Sequence, residues 1–226
     1  GATKAKGAKI AGENASNVYK AMEYLTAIQR KNFAISYDKQ FDFKDLDVVV
    51  IGGGDTAMDC VRTAKREGAK NVTCLYRRDA HNMPGSQKEY KNAVEEGIDF
   101  VFHASPKEII LGDGGKAVAV HMAKTALGAK DESGRQKMEE LKGSDFNISA
   151  DIVIMALGFD PVVPGFLAEN GIEVNNWGGI IIDEQFQTTT AGIYAGGDCY
   201  RGADLVVTAA YDGREAARAI VKSLLN

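Results

Sequence analysis

One stretch constrains this chain more than any other: Asp47-Val48-Val49-Val50-Ile51-Gly52-Gly53-Gly54-Asp55-Thr56-Ala57-Met58-Asp59. Val48 to Ile51 are apolar and β-branched, and an unbroken run of that kind reads as a strand buried on both faces. The run stops at Gly52, Gly53 and Gly54. A helical pattern then opens at Asp55 and Thr56 and continues to about Glu67, with Gly68 as its stop. Gly52-x-Gly54-x-x-Ala57 is the dinucleotide-binding fingerprint, set between a strand and a helix as the chemistry requires. Gly52 allows the tight turn, and Gly54 lets a pyrophosphate approach the backbone. Ala57 is small enough for close packing of helix on strand. The phosphates are expected on the free N–H groups of the helix N-terminus. A plain strand–helix turn is the bland alternative.

The second strand, Asn71 to Tyr76, is followed by Arg77-Arg78. An NAD-binding unit usually carries an acid here for the ribose 2′-hydroxyl. A pair of guanidinium forks suits an anionic 2′-phosphate instead, so the pair favours NADP over NAD. A solvated basic turn is the alternative. Asp79 is placed to neutralise part of that charge, and His81 to add a hydrogen bond.

The rest of the chain bounds the setting. Its 226 residues suffice for one large domain or two modest ones, and 45% apolar with 26% charged residues is ordinary for a globular protein. A net charge of −4 argues against a nucleic-acid partner. No apolar run reaches membrane-span length, and no signal-peptide pattern opens the chain, so the expected location is cytoplasmic. Cys60, Cys74 and Cys199 lie far apart without C-x-x-C spacing, which argues against a zinc or iron–sulfur site in this chain.

Taken in order, Glu13 to Asn32 shows a helical period with Asn14 or Ser16 as its cap, and 33–46 reads as a polar and aromatic linker. Met83-Pro84-Gly85-Ser86 opens a helix from about Gln87 to Glu96, and Ile98 to Phe102 is a third strand. Lys107–Leu111, Ala117–Lys124 and a strand near Phe146-Asn147-Ile148 suggest an antiparallel meander. The polar stretch 128–143, with Asp131, Glu132, Arg135, Lys137, Glu139 and Glu140, reads as a solvated loop. Asp151 to Ala156 returns to the parallel sheet and ends at Gly158, where the backbone can pass close to a cofactor. Beyond Phe159 come short strands at Ile172–Val174 and Gly179–Asp183. Next is a short strand ending at Gly196-Gly197-Asp198, then a helix from about Ala203 to Leu224. Asp198 reads equally as a contact for a ligand hydroxyl or as a helix cap. Leu205, Val206 and Val207 would present backbone N–H groups to a partly negative ring.

With these blocks in view the chain resembles the NADPH-dependent glutamate synthase small (β) subunits. These belong to the tandem dinucleotide-binding flavoproteins related to glutathione reductase. The residues that carry the resemblance are Val50 to Thr63, Tyr76-Arg77-Arg78-Asp79, Asn82 to Ser86, Val153 to Phe159, Phe186-Gln187-Thr188, Ala195 to Asp198 and Arg201 to Ala209. The resemblance implies an NADPH domain inserted into an FAD domain. It implies that Gly52, Gly54 and Ala57 hold the NADPH pyrophosphate and that Arg77 and Arg78 hold the 2′-phosphate. Asp198 would hold the flavin ribityl chain, with Leu205, Val206 and Val207 near the ring. Electrons would run from NADPH to FAD, through iron–sulfur clusters whose ligands lie outside this chain, to a glutamate synthase large subunit. No dedicated catalytic acid or base is expected, since hydride transfer needs alignment.

The expected division is therefore a connecting segment of the FAD domain over 1–44, an NADPH-binding domain over 45–158 and the C-terminal part of the FAD-binding domain over 159–226. The fold class is α/β, a Rossmann-like parallel sheet with an antiparallel meander. No strand with a Gly-rich turn occurs in 1–44, so the chain reads as a C-terminal fragment that binds NADPH and not FAD. Its unpaired flavin-domain strand edge is open to pairing between copies as a homo-oligomer. Asp55 lies near the expected phosphate and should point away or bond backbone N–H groups. Two other readings stand beside the first. One is a sibling diaphorase of the dihydropyrimidine dehydrogenase or ferredoxin–NADP oxidoreductase kind, and the other is a non-catalytic nucleotide-binding module.

Overall fold

The computed structural model describes residues 1–36, 41–130 and 136–225. The chain divides into two units, one of Gly1–Lys6 with Gly158–Asn226 and one of Gly7–Leu157. The smaller unit is closed by the antiparallel pair β1 (Lys4–Ala5) and β11 (Phe159–Asp160). The larger unit is built on five parallel strands: β2 (Val18–Lys20), β3 (Asp47–Ile51), β4 (Asn71–Leu75), β5 (Asp99–Val101) and β10 (Ile152–Met155). Their order across the sheet is β2-β10-β3-β4-β5. The chain runs outward from β3 through β4 to β5 on one side, while β10 and β2 lie on the other. The carboxyl ends of β3 and β10 therefore flank the point where the winding reverses, the usual place for a ligand in an open α/β sheet.

Each face of the sheet is covered. Val48 and Val50 of β3 point to a core shared with α1 (Ala21–Asn32) and α2 (Asp55–Arg66). Val49 and Ile51 point to a second core on the opposite face, with Ile109, Val120 and Met122. That second core is roofed by antiparallel strands β6 (Ala104–Leu111), β7 (Ala117–Lys130), β8 (Gln136–Glu140) and β9 (Phe146–Ser149), in which β7 pairs with the other three. Alternate side chains of one strand thus serve two cores, the period-2 geometry that a doubly buried strand needs. Buried Asn17 joins the layers: its side-chain amide donates to Ala117 O at 2.9 Å and Asp151 O at 2.7 Å, and its Oδ1 accepts from Ala117 N at 2.8 Å. The helix α3 (Gln87–Glu95) crosses from β4 to β5 and is tied to α2 by Arg62, which reaches Glu96 at 2.8 Å and also pairs with Glu89.

Several expectations are corrected. Of the expected segment 1–44, the described residues beyond Lys6 group with the larger unit. Val18 and Tyr19 are strand, not helix, because β2 adds in parallel to the edge of β10, with Val153 opposite Val18. Neither Asn14 nor Ser16 caps α1, whose N-cap position is Lys20. Of the supposed linker 33–46, residues 37–40 lie outside the described residues, and Phe41 and Phe43 join the core, where Phe43 stacks on Tyr24 at 4.8 Å and Phe41 meets Tyr19 edge-on at 4.7 Å. Of the supposed loop 128–143, Asp131, Glu132 and Arg135 lie outside the described residues. Much of the rest is strand, since β7 continues to Lys130 and β8 pairs back, with Leu127 opposite Met138. The smaller unit has isolated bridges, Val174 with Ile180 and Ile182 with Thr188, where short strands were expected. Its helices are α4 (Phe166–Glu169), α5 (Asp198–Arg201) and α6 (Val206–Leu225), the last beginning three residues later than the pattern suggested.

The aromatic cluster gives a direct test. Phe43 is 1% exposed. Phe43→Ala should lower the unfolding free energy in urea by about 3–5 kcal/mol, the usual cost of removing a buried ring. A loss below about 0.5 kcal/mol, typical of a surface change, would return the segment to linker status.

Candidate dinucleotide-binding site

The fingerprint turn sits at the carboxyl end of β3. A Cβ on Gly52 would lie 2.2 Å from Ala156 O, the residue that follows β10, so the two strand ends can approach only with glycine here. Gly53 lies under the Tyr76 ring, within 2.4 Å of where its own Cβ would be. Gly54 differs: a Cβ there would meet no atom within 4 Å. Its freedom from side chain serves no internal packing and leaves an open face on the turn. Gly54 is also the N-cap of α2, and no side chain caps that helix. The terminal N–H groups of a helix, with the positive end of its dipole, remain available to an anion. Thr56 lies half-buried in the first turn, and Ala57 is fully buried against the sheet.

Asp55 does not face this opening unpartnered. Its Oδ1 accepts from Ser86 N at 2.7 Å, and Gly85 N donates to Gly53 O at 3.1 Å. A Cβ on Gly85 would stand 3.0 Å from the Gly54 carbonyl carbon. The loop Met83 to Ser86 is thus packed on the fingerprint, and Asp55 bonds a backbone N–H group as expected. Tyr76 closes the same corner by donating its hydroxyl to Asn82 O at 2.8 Å. From sequence Tyr76 ends a strand and Gly85-Ser86 open a helix, and neither position carries a sign of contact with the fingerprint. Only their packing on the turn reveals it.

Arg77 and Arg78 leave β4 one strand from the fingerprint, Arg77 exposed and Arg78 half-buried. The neighbouring acid, Asp79, caps the short turn that follows. Its carboxylate accepts from Asn82 N at 2.8 Å, and this bond holds its carboxyl below the usual range. His81 is exposed in the short helical turn that Asp79 caps. Two of the cysteines are fully buried. Burial pushes the Cys60 thiol up, and pushes Cys74 up to about 12.

In the smaller unit, Gly158 adopts φ +84° and its carbonyl accepts from Lys6 N at 3.0 Å. Gly197 is the N-cap of α5 at φ +72°, a conformation that glycine takes at no cost. Asp198 follows as the first residue of α5 and makes no capping bond, so the cap reading of Asp198 falls. What fixes this turn is Asp212 of α6. Its Oδ2 accepts from Gly197 N at 2.9 Å and from Arg201 Nε at 2.9 Å, while Oδ1 accepts from Arg201 Nη2 at 2.6 Å. Asp212 is wholly buried, and the Arg201 guanidinium holds its carboxyl below the usual range. An acid inside the stretch Ala209-Ala210-Tyr211-Asp212-Gly213 was a signal that sequence reasoning passed over. Leu205, Val206 and Val207 are exposed at the start of α6. The Leu205 N–H is already taken by Asp204 Oδ1 at 2.8 Å, so it is not one of the donors expected there.

A Gly-rich turn at a switch point, an uncapped helix end and a basic pair one strand away are the features of a doubly wound α/β protein with a candidate dinucleotide site. The chain belongs to the pyridine nucleotide-disulphide oxidoreductase family, whose pattern matches residues 1–213. It is 45% identical over 222 residues to the glutamate synthase [NADPH] small chain of Escherichia coli, covering 95% of this chain and 47% of that protein. It is 47% identical over 221 residues to the E. coli protein AegA, whose name carries only a provisional oxidoreductase label, covering 95% of this chain and 34% of AegA. The chain thus spans between a third and a half of these relatives. Among solved structures, FprA of Mycobacterium tuberculosis in complex with NADPH superposes with a TM-score of 0.75 over 99% of this chain and 62% of FprA. At 17% identity that likeness shows the fold alone.

The Asp212 clasp predicts an acid response. A depressed folded pKa means that the carboxylate stabilises the fold above the ordinary aspartate range and loses that contribution as pH falls through it. Asp212→Asn should lower Tm at pH 7 by roughly 2–8 °C. The gap between the two proteins should close below about pH 4. A gap that is constant from pH 7 to pH 3 would show that the charge contributes nothing.

Proposed function

We propose that this chain supplies the nucleotide-reading part of an electron-input flavoprotein, passing hydride from NADPH to FAD. The observation that carries the reading is the arginine pair beside an uncapped, side-chain-free fingerprint turn. The residues fit the cofactor. Gly52, Gly53, Gly54, Thr56 and Ala57 form a cradle that a side chain at Gly54 would fill, and Asp55 is turned aside by Ser86. Arg77 and Arg78 would hold the 2′-phosphate, which distinguishes NADPH from NADH. NADPH supplies the hydride when bound, and the protein's task is orientation, with no acid or base required. Toward FAD, Asp198 would accept a hydrogen bond from a ribityl hydroxyl, on a turn stiffened by Gly197, Arg201 and Asp212. Gly158, Leu205, Val206 and Val207 would lie near the flavin.

The likeness to glutamate synthase small chains supports a finer reading. Electrons would continue through iron–sulfur clusters, held outside this chain, to a large subunit that makes glutamate from glutamine and 2-oxoglutarate in the cytoplasm. The equal likeness to AegA favours a second reading, a sibling diaphorase with another acceptor. Glutamine-dependent NADPH oxidation by the longer protein, with and without a large subunit, separates the two.

Two variants test the nucleotide site. Gly54→Val has room within the protein, so circular dichroism should show the fold kept while calorimetry shows NADPH binding lost. A folded variant with unchanged binding would place the pyrophosphate elsewhere. Replacing Arg77 and Arg78 together by Ala should weaken NADPH binding by about ten-fold to several hundred-fold, at roughly 1.5–3 kcal/mol for a bond to a charged group. NADH binding should barely change. Equal losses for both cofactors would sink the 2′-phosphate assignment.

A further inference from the structure

The fingerprint turn presents backbone to its ligand, but the arginine turn must present side chains, so its own backbone has to be held still. After β4 the chain leaves the sheet at Tyr76, whose N–H donates to Val101 O at 3.0 Å and whose carbonyl accepts from Ala104 N at 3.3 Å. The Arg78 carbonyl accepts from His103 N at 3.1 Å. Between them, the Arg77 carbonyl accepts from a side chain, Oγ1 of Thr125 at 2.8 Å. Thr125 stands 48 residues further along, in β7, and is 4% exposed. Its own N–H donates to His103 O at 2.7 Å. One residue of the antiparallel sheet thus holds Arg77 through its hydroxyl and, through residue 103, braces Arg78. Thr125 lies where β7 passes from β6, with Ala104 opposite Lys124, to β8, with Thr125 opposite Glu140.

We propose that Thr125 is a positioning residue for cofactor selection: its buried hydroxyl fixes the turn from which Arg77 and Arg78 reach the 2′-phosphate. This rests on the reading that the arginine pair holds that phosphate. Guanidinium forks bind phosphate through paired, directional hydrogen bonds, so a shift of their backbone weakens them more than it would weaken a point charge. A carbonyl that loses a buried donor shifts to find another. Because Thr125 acts through the arginines alone, its loss should fall on NADPH and spare NADH.

Thr125→Val keeps the shape and removes the hydroxyl. Both cofactors are titrated against the 226-residue chain. The NADPH dissociation constant should rise about three- to ten-fold, with NADH unchanged. Thr125→Ser should restore NADPH binding. In a chain that already carries Arg77→Ala and Arg78→Ala, the Val substitution should have no further effect. Equal weakening of both cofactors, no change in either, or a further NADPH loss in the arginine-free background would each overturn the proposal. Should Thr125→Val fail to fold, Thr125→Ala is read by the same comparison. If the double arginine variant keeps its preference for NADPH, the underlying reading fails and the role of Thr125 falls with it. That result differs from the case in which only the Thr125 variants are silent.

Discussion

The burial of β3 on both faces is the constraint on which the larger unit depends. Val48, Val49, Val50 and Ile51 are each at most 3% exposed. Burying a branched side chain contributes about 1.5–3 kcal/mol, so this run commits the chain to two covers, not one. The helices α1 and α2 supply the first and the antiparallel strands the second. A strand so enclosed must be flanked on both edges as well, and β4 and β10 flank it in parallel register. That puts the end of β3 beside the end of β10. Gly52 is required because Ala156 stands there, and the open glycine turn is a consequence of how the sheet is wound.

The local signals of this arrangement were legible in sequence and the distant ones were not. The fingerprint, the arginine pair and α3 each announce themselves within a few residues. Val18-Tyr19 does not, because a short apolar run fits a helix or an added strand equally well, and only the edge of β10 decides. Phe41 and Phe43 stand among polar residues, so their burial is set by Tyr24 and not by any period of their own. The strands β7 and β8 form a ribbon whose exposed polar face hides the alternation that marks a strand. Among the candidate site residues, the glycines and arginines stand out in the sequence because their chemistry is intrinsic. Tyr76, Gly85, Thr125 and Asp212 matter through what they touch across the fold, and a single sequence carries no mark of that.

Asp55 shows how a local conflict is resolved by packing. A carboxylate in the first turn of α2 is favoured by the helix dipole, yet it competes with the phosphates that the same helix end would bind. The Ser86 N–H draws Asp55 to the start of α3, where Ser86 is the N-cap. One carboxylate thus serves the ends of two helices and leaves the open side of Gly54 clear. It also binds the loop Met83 to Ser86 to the fingerprint, so the two blocks act as one structural piece although some thirty residues separate them.

This division of labour bears on what the unit can and cannot specify. On the proposed reading the fingerprint would contact groups that both nicotinamide cofactors share, because backbone N–H groups read charge and not identity. Discrimination would then fall to Arg77 and Arg78 at the end of β4, where the Arg77 carbonyl is held from another sheet by Thr125. Neither feature refers to the electron acceptor. On that reading one nucleotide-reading unit would suit different acceptors, and the chain is similarly like a glutamate synthase small chain and AegA. The fold carries the donor's chemistry, while the acceptor's is set by sites grafted elsewhere. More than half of each of those two relatives lies beyond the stretch they share with this chain, and that is where the residues that choose the acceptor would have to be sought.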